Sequence, residues 1–202
     1  AHELTSNDTP VYYESSSNIL DDDIIQELLS LSRLVLNVAN GELHYSNSIL
    51  ADVLSAPYWK LPMGSVWKLG LFASKSEEKK HWLEYLNDGA LGKEGRHIYQ
   101  LVISWAESAK SYTLEQMLDF LVGVQERSSE SMSPFKEYYF SHNNLKNDPA
   151  IYANFLSSLS TLRDHLRNYF PDMSKPKLKD LLGYTDLCQE YGGIRIARRG
   201  LH

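Results

Sequence analysis

Apolar residues recur every three or four positions along most of this chain, which is the spacing of amphipathic α-helices. One such segment follows three aspartates at 21–23 and runs to Asn40-Gly41. Its acidic start is favourable because negative charge stabilises the amino end of a helix dipole. The most regular segment lies between Asp148-Pro149 and Pro171, and proline is well tolerated at the first position of a helix. The pattern therefore predicts a mainly helical protein, with long helices in both halves of the chain.

Polar residues at fixed offsets indicate where two further helices begin. Thr113 is followed three residues later by Gln116, and Ser74 is followed in the same way by Glu77. Both pairs have the form of a capping box, and each precedes an apolar run with helical spacing. Together with shorter segments over 48–54 and 176–191, these signals predict six or seven helices packed as an irregular bundle.

The dipeptide Asn40-Gly41 has two competing interpretations. Glycine after an apolar helical segment is typical of a helix carboxyl cap. Asn-Gly is also the preferred two-residue turn of a β-hairpin, and apolar residues partly alternate with polar ones over 34–45. The long helical spacing before Asn40 favours the cap, and one small β-hairpin near residues 34–45 is the alternative.

Composition divides the chain into three parts. Residues 1–20 are rich in Ser, Asn, Asp and Thr with one short apolar patch, so we predict a flexible polar tail. Residues 21–191 form the predicted helical domain. Residues 192–202 are basic, which indicates a carboxyl-terminal tail or the start of a further segment. The alternating positions over 194–199 fit either a short edge strand or a tail docked on an acidic partner.

Charge and hydropathy exclude two broad classes of protein. The formal net charge is −6 at pH 7, which argues against a surface built as a whole to bind nucleic acid. No segment approaches the run of about 18 apolar residues that a membrane span needs, so we predict a soluble protein. Ala1 fits a mature periplasmic or secreted protein after signal-peptide removal, or a cytoplasmic one with a residue left by cloning. Both interpretations of the compartment stay open.

Local catalytic signatures are missing. The sequence contains no nucleophile elbow, dinucleotide-binding glycine motif, phosphate loop or zinc-protease motif. Glu94 and His97 have the Glu-x-x-His spacing that places two ligands on one helix face, but the remaining ligands of a bundle metal site are not evident. We therefore predict no metal and no cofactor. An enzyme with a dispersed site around Glu94 and His97, such as a hydrolase, is kept as an alternative.

Aromatic side chains on connectors are the best candidates for a contact surface. Tyr58 and Trp59 lie in a segment punctuated by proline and glycine, and Tyr138 and Tyr139 lie on a short predicted helix. Tyrosine and tryptophan are enriched in protein interfaces because they bury a large area and keep one polar group. Aromatic residues are also ordinary core residues of a helical bundle, and general burial tendencies favour that interpretation for the aromatic residues as a whole. For these four residues we predict contact with a partner, with a sugar-stacking groove as the alternative.

The carboxyl-terminal arginines are the second candidate contact. Residues 175–202 carry six basic and three acidic residues, whereas the rest of the chain is acidic. Arg195, Arg198 and Arg199 could contact an acidic partner, but three arginines are too few to indicate nucleic-acid recognition, which is a further alternative. The sequence thus favours a non-catalytic helical scaffold that binds another protein or forms a homo-oligomer.

Overall fold

The computed structural model describes residues 13–123, 133–147, 149–170, 175–192 and 194–200. Over these residues the protein is mainly helical, as predicted. The described part holds ten α-helices, rather than six or seven: α1 (Asp23–Asn40), α2 (Leu43–Ser55), α3 (Ser65–Lys75), α4 (Trp82–Asn87), α5 (Gly92–Ala109), α6 (Leu114–Val122), α7 (Pro134–Tyr139), α8 (His142–Asn147), α9 (Pro149–Tyr169) and α10 (Leu178–Glu190). Two single 3-10 turns, Ile19–Asp21 and Pro57–Trp59, and two short strands, β1 (Tyr13–Asn18) and β2 (Arg195–Gly200), complete the fold.

Helix α1 is the central element of the core. It contacts α2, α5, α6, α9 and α10, so it buries more than one side of its surface. The fully buried residues of α1 are Ile25, Leu28, Leu29, Leu31, Ser32, Leu34 and Val35. This wide apolar face matches the spacing seen in the sequence, and its burial against several helices stabilises the fold through the hydrophobic effect.

Both ends of α1 are fixed by local polar contacts. At the amino end the Asp22 carboxylate accepts hydrogen bonds from the amides of Ile24 and Ile25, at 3.0 and 3.4 Å. At the other end Gly41 adopts a left-handed conformation with φ +77°, which glycine reaches without a Cβ clash. The helix therefore ends in the predicted cap. The alternative of a β-hairpin near residues 34–45 is wrong, because this stretch belongs to α1, its cap and the start of α2.

One predicted capping box is confirmed and the other is wrong. The Thr113 hydroxyl accepts from the Gln116 amide, and the Gln116 side chain accepts from the Thr113 amide, so α6 begins where expected. Ser74, in contrast, lies inside α3, which extends to Lys75. The next helix begins only at Trp82, where the Glu84 carboxylate accepts from the His81 amide at 3.0 Å.

The two predicted tails have described parts that join the helical core. Strands β1 and β2 pair in antiparallel fashion, with Tyr13 opposite Gly200 and Asn18 opposite Arg195. The Asn18 side chain accepts a hydrogen bond from the Ile194 amide at 2.8 Å. Ile19, Leu20 and Ile194 are all buried, so the core begins before residue 21 and continues past residue 191.

Candidate functional site

Tyr58 and Trp59 lie in the core, where they cannot contact a partner. Ala56 is extended and Pro57 starts a 3-10 turn, which directs both rings inward after α2 ends. Tyr58 is 1% exposed and Trp59 is 9% exposed. The ring of Tyr58 lies 5.4 Å from that of Phe135, and the ring of Trp59 lies 6.2 Å from that of Trp105. Their assignment to a contact surface does not fit this burial.

The buried Tyr58 side chain lies in an apolar and partly anionic environment. Its hydroxyl and the Trp59 indole nitrogen have no hydrogen-bond partner among the residues that the structure describes. Burial is the main reason that the pKa of Tyr58 is raised far above its usual value, and the nearby Glu27 carboxylate adds to the effect. Tyr58 is therefore a neutral phenol at any physiological pH and is not poised for acid–base chemistry.

Tyr138 and Tyr139 are half-buried on α7. The Tyr139 hydroxyl donates a hydrogen bond of 2.5 Å to the Glu27 carboxylate, which joins α7 to α1. Burial raises the pKa of Glu27, an effect that the hydrogen bond from Tyr139 partly offsets. The two tyrosine rings meet edge to face at 5.0 Å, and the Tyr139 ring lies 4.9 Å from Phe135. These contacts fix the position of α7, whose following residue, Phe140, borders an open groove.

That groove, which we call the α6–α9 groove, is the strongest candidate site. It has a volume of about 480 Å³ and is lined by Asp119, Val122, Lys136, Phe140, Leu145, Tyr152, Phe155, Leu156, Leu159 and Arg163. The Phe140 ring packs edge to face on Tyr152 at 5.0 Å and lies 5.2 Å from Phe155. Most of the wall is therefore apolar, and several helices contribute to it. An open apolar cavity of this size with few polar groups is typical of a binding site.

Polar groups are confined to a few places in the groove. The Arg163 guanidinium pairs with the Asp119 carboxylate at 3.2 Å, and both side chains are less than one third exposed. The Arg163 Nε atom is buried and has no hydrogen-bond partner among the described residues. Lys136 is a second cation in the lining. The groove thus combines an apolar wall with two positive charges and one negative charge.

A second exposed apolar surface lies on α3 and on the turn before it, and sequence reasoning missed it. Met63 is fully exposed at 103%, Trp67 is 79% exposed and Leu71 is 54% exposed. Trp67 and Leu71 are four positions apart on α3, so they lie on one side of the helix axis, and Met63 in the turn before α3 lines the same depression as Trp67. We call them, together with the 43% exposed Phe72, the α3 face. The spacing of Trp67 and Leu71 is visible in the sequence, but the sequence does not show that the described residues leave this side of α3 exposed.

Glu94 and His97 are both exposed on the first turns of α5. In the part of the chain that the structure describes, no group of three or more His, Cys, Asp and Glu side chains could hold a metal ion. Glu94 and His97 therefore have no third ligand among the described residues.

The backbone of Arg195, Arg198 and Arg199 belongs to β2, and their side chains lie outside what the structure describes.

Comparison of the chain with protein-family models, with curated proteins and with solved structures finds no match. None of the described helices is long and apolar enough to cross a membrane. The α6–α9 groove and the α3 face are therefore the features of this chain that point to a function.

Proposed function

We propose that this protein is a non-catalytic helical interaction protein that binds an apolar segment of a partner protein in the α6–α9 groove. The observation that carries the proposal is an open groove of about 480 Å³ whose wall is mostly apolar and whose few charges lie beside it. Exposed apolar area of this kind is costly in water and is usually covered by a ligand or partner. In this proposal the scaffold that holds the groove open is an irregular helical bundle around α1.

The shape of the rim favours a polypeptide segment over a small enclosed ligand. Tyr152 and Leu156 line the groove and are still 39% and 42% exposed, and the neighbouring Ile151 is 36% exposed. The apolar surface therefore extends from the groove onto the outer side of α9. A partner helix could cover both regions, because apolar residues at intervals of three and four would reach the groove and the rim together.

The charges in the lining indicate the polarity of the partner segment. Lys136 and Arg163 are the cations of the lining, and Asp119 is its acidic residue. The buried Arg163 Nε atom has no hydrogen-bond partner among the described residues, so an acidic residue beside the apolar anchors of the partner could accept a hydrogen bond from the guanidinium. We therefore expect a segment with apolar anchors and at least one Asp or Glu.

The proposal can be tested by selecting peptides from a random library on the immobilised full chain. Selected peptides should share helically spaced apolar residues and an acidic residue. Their affinity, measured by fluorescence anisotropy, should fall by about tenfold or more in Leu156→Asp, because a carboxylate would be desolvated in an apolar groove. Leu71→Asp is the matched control, since Leu71 is a similarly exposed leucine on the other surface.

Two results would overturn the proposal. One is that the selected peptides bind Leu156→Asp and Leu71→Asp equally well, which would place them elsewhere. The other is a homodimer, seen by light scattering, that Leu156→Asp abolishes. In that case the occupant of the groove would be a second copy of this chain instead of a different protein.

A further inference from the structure

The α3 face consists of large apolar side chains that are more than 40% exposed to solvent. Met63 projects from the turn Pro62-Met63-Gly64, where Gly64 has φ +87°, and Trp67 follows on the first turn of α3. The opposite side of α3 is packed, since Leu69 is 0% exposed and Ser65 is 6% exposed. The helix is thus anchored in the protein by one side and presents Met63, Trp67 and Leu71 to the outside.

Positive charge surrounds these apolar side chains in a chain that is negative as a whole. Between residues 57 and 76 there are three lysines, Lys60, Lys68 and Lys75, and no acidic residue. Lys60 pairs with Glu137 at 2.5 Å, whereas Lys68 and Lys75 form no ion pair with any residue that the structure describes. Glu137 is thus an acidic residue at this surface, Glu94 borders the same depression as Lys60 and Lys68, and Glu77 and Glu78 follow α3 in the sequence.

An open depression lies next to Met63 and Trp67, and most of its lining is apolar. Its volume is about 570 Å³, and its lining contains one lysine, Lys60, and no acidic residue. The projecting side chains and the depression beside them therefore form one apolar surface, and the charges of Lys68 and Lys75, which form no ion pair with a described residue, lie on the same helix. Such a surface is complementary to one that is both apolar and anionic.

A second copy of the chain is a poor occupant for this surface. A symmetric contact would place Lys68 and Lys75 of one copy against the same lysines of the other, and this repulsion would oppose the apolar gain. A lipid surface, in contrast, requires no matching shape. It accepts projecting Met and Trp side chains in the headgroup region, and lysine stems can extend their charges to lipid phosphates.

We propose that the α3 face attaches this protein reversibly to an anionic lipid surface. Met63, Trp67 and Leu71 enter the interfacial region of the bilayer, and Lys68 and Lys75 contact the anionic headgroups. Attachment needs both contributions, because a few apolar side chains or a few lysines alone give only marginal binding. This inference does not depend on the proposed partner, because none of these residues lines the α6–α9 groove.

Sedimentation of the full chain with vesicles tests this proposal directly. The probes are vesicles of pure phosphatidylcholine and vesicles of phosphatidylcholine with an equal amount of phosphatidylserine. We expect binding to the second composition only, with a loss as salt is raised, because screening weakens the attraction between exposed charges. The fluorescence of Trp67 should shift to the blue on binding, as seen by subtracting the spectrum of Trp67→Ser.

Variants separate the apolar contribution from the charge. Trp67→Ser should lower the vesicle partition coefficient about tenfold or more, since the buried apolar area is lost. Lys68→Gln combined with Lys75→Gln should lower it about twenty-five-fold, because each lysine near an anionic surface contributes about fivefold. The matched controls are Tyr191→Ser, an exposed aromatic outside the α3 face, and Lys175→Gln with Lys179→Gln. Leu156→Asp, which disables the groove, should bind vesicles as the wild type does.

Several outcomes would overturn the proposal. Equal binding to both vesicle compositions would remove the role of the lysines, and binding that Trp67→Ser leaves unchanged would remove the role of the α3 face. Failure of the wild type to bind either composition would reject lipid attachment altogether. A dimer that light scattering detects in the wild type and not in Trp67→Ser would assign the surface to self-association instead.

Discussion

Among the described glycines, Gly123 is the one at which an added Cβ atom would meet the closest neighbour. It ends α6 with φ +89°, and its amide donates to the Asp119 carbonyl at 3.0 Å. A Cβ atom at this position would lie 2.6 Å from the Cβ of Ser133 and 3.1 Å from the Cβ of Lys136. Neither neighbour can rotate away, because a Cβ atom moves only with its backbone. Gly123→Ala must therefore displace the start of α7.

The loss of stability has two parts that can be added. An L residue in the left-handed conformation costs about 1–2 kcal/mol. Overpacking by a methyl group against atoms that cannot relax costs about 1–3 kcal/mol more. We therefore expect Gly123→Ala to lower the free energy of unfolding by about 2–5 kcal/mol. Gly41→Ala is the matched control, because Gly41 also ends a helix with φ +77° and has no heavy atom within 4 Å of its added Cβ.

Urea unfolding followed by far-ultraviolet circular dichroism measures both variants against the wild type. Gly41→Ala should lose only the conformational part, about 1–2 kcal/mol. Equal losses for Gly123→Ala and Gly41→Ala would refute the reasoning, because they would mean that α7 does not approach the end of α6 as closely as described.

Two further substitutions test the polar contacts of the fold. Glu27→Gln should stabilise the protein at pH 7 and leave it unchanged at pH 4, because burial raises the pKa of Glu27 in the folded state. The folded protein then binds this proton more tightly than the unfolded chain, so wild-type stability falls as the pH rises through the folded pKa, and the neutral amide removes that loss. Thermal unfolding at both pH values measures the change in stability, and Glu107→Gln is the control because Glu107 is exposed. An equal gain in stability at pH 7 in both variants would contradict this prediction. Thr113→Ala should lower the free energy of unfolding by about 1 kcal/mol, because the Gln116 amide loses its acceptor, whereas Thr113→Ser should preserve it.

The helix ends that could be placed from sequence are those with a local signal. The Asp22 cap, the Gly41 cap and the Thr113–Gln116 capping box involve residues no more than a few positions apart, so their geometry is encoded locally. Helix α3 has no side-chain cap: Gly64 precedes it, and its outer side carries Trp67 and Leu71 where a polar side would be expected. An amphipathic pattern with an exposed apolar side cannot be recognised from spacing alone.

The contact surface could be predicted only in part, because burial depends on residues distant in the chain. Tyr58 and Trp59 stand on a connector, where sequence suggests exposure, but Phe135 and Trp105 cover them from other helices. The pairing of β1 with β2 also depends on residues distant in the chain, since the two strands lie near its opposite ends. The aromatic richness of the sequence was a correct signal of packing, whereas the choice between core and surface required the fold.

The two proposed surfaces are joined through the connector before α3. Tyr58 packs on Phe135 of α7 at 5.4 Å, and Lys60 pairs with Glu137 of the same helix at 2.5 Å. Helix α7 also contributes Lys136 to the α6–α9 groove. A partner that shifts α7 on entering the groove would therefore move the segment that positions Met63 and change the affinity of the α3 face for lipid. Lipid binding at Met63 would in turn change the affinity of the groove for the partner by the same factor. If α7 is instead held rigidly by the Glu27–Tyr139 hydrogen bond, we expect the two proposed surfaces to bind independently, so that a peptide in the groove leaves vesicle binding unchanged.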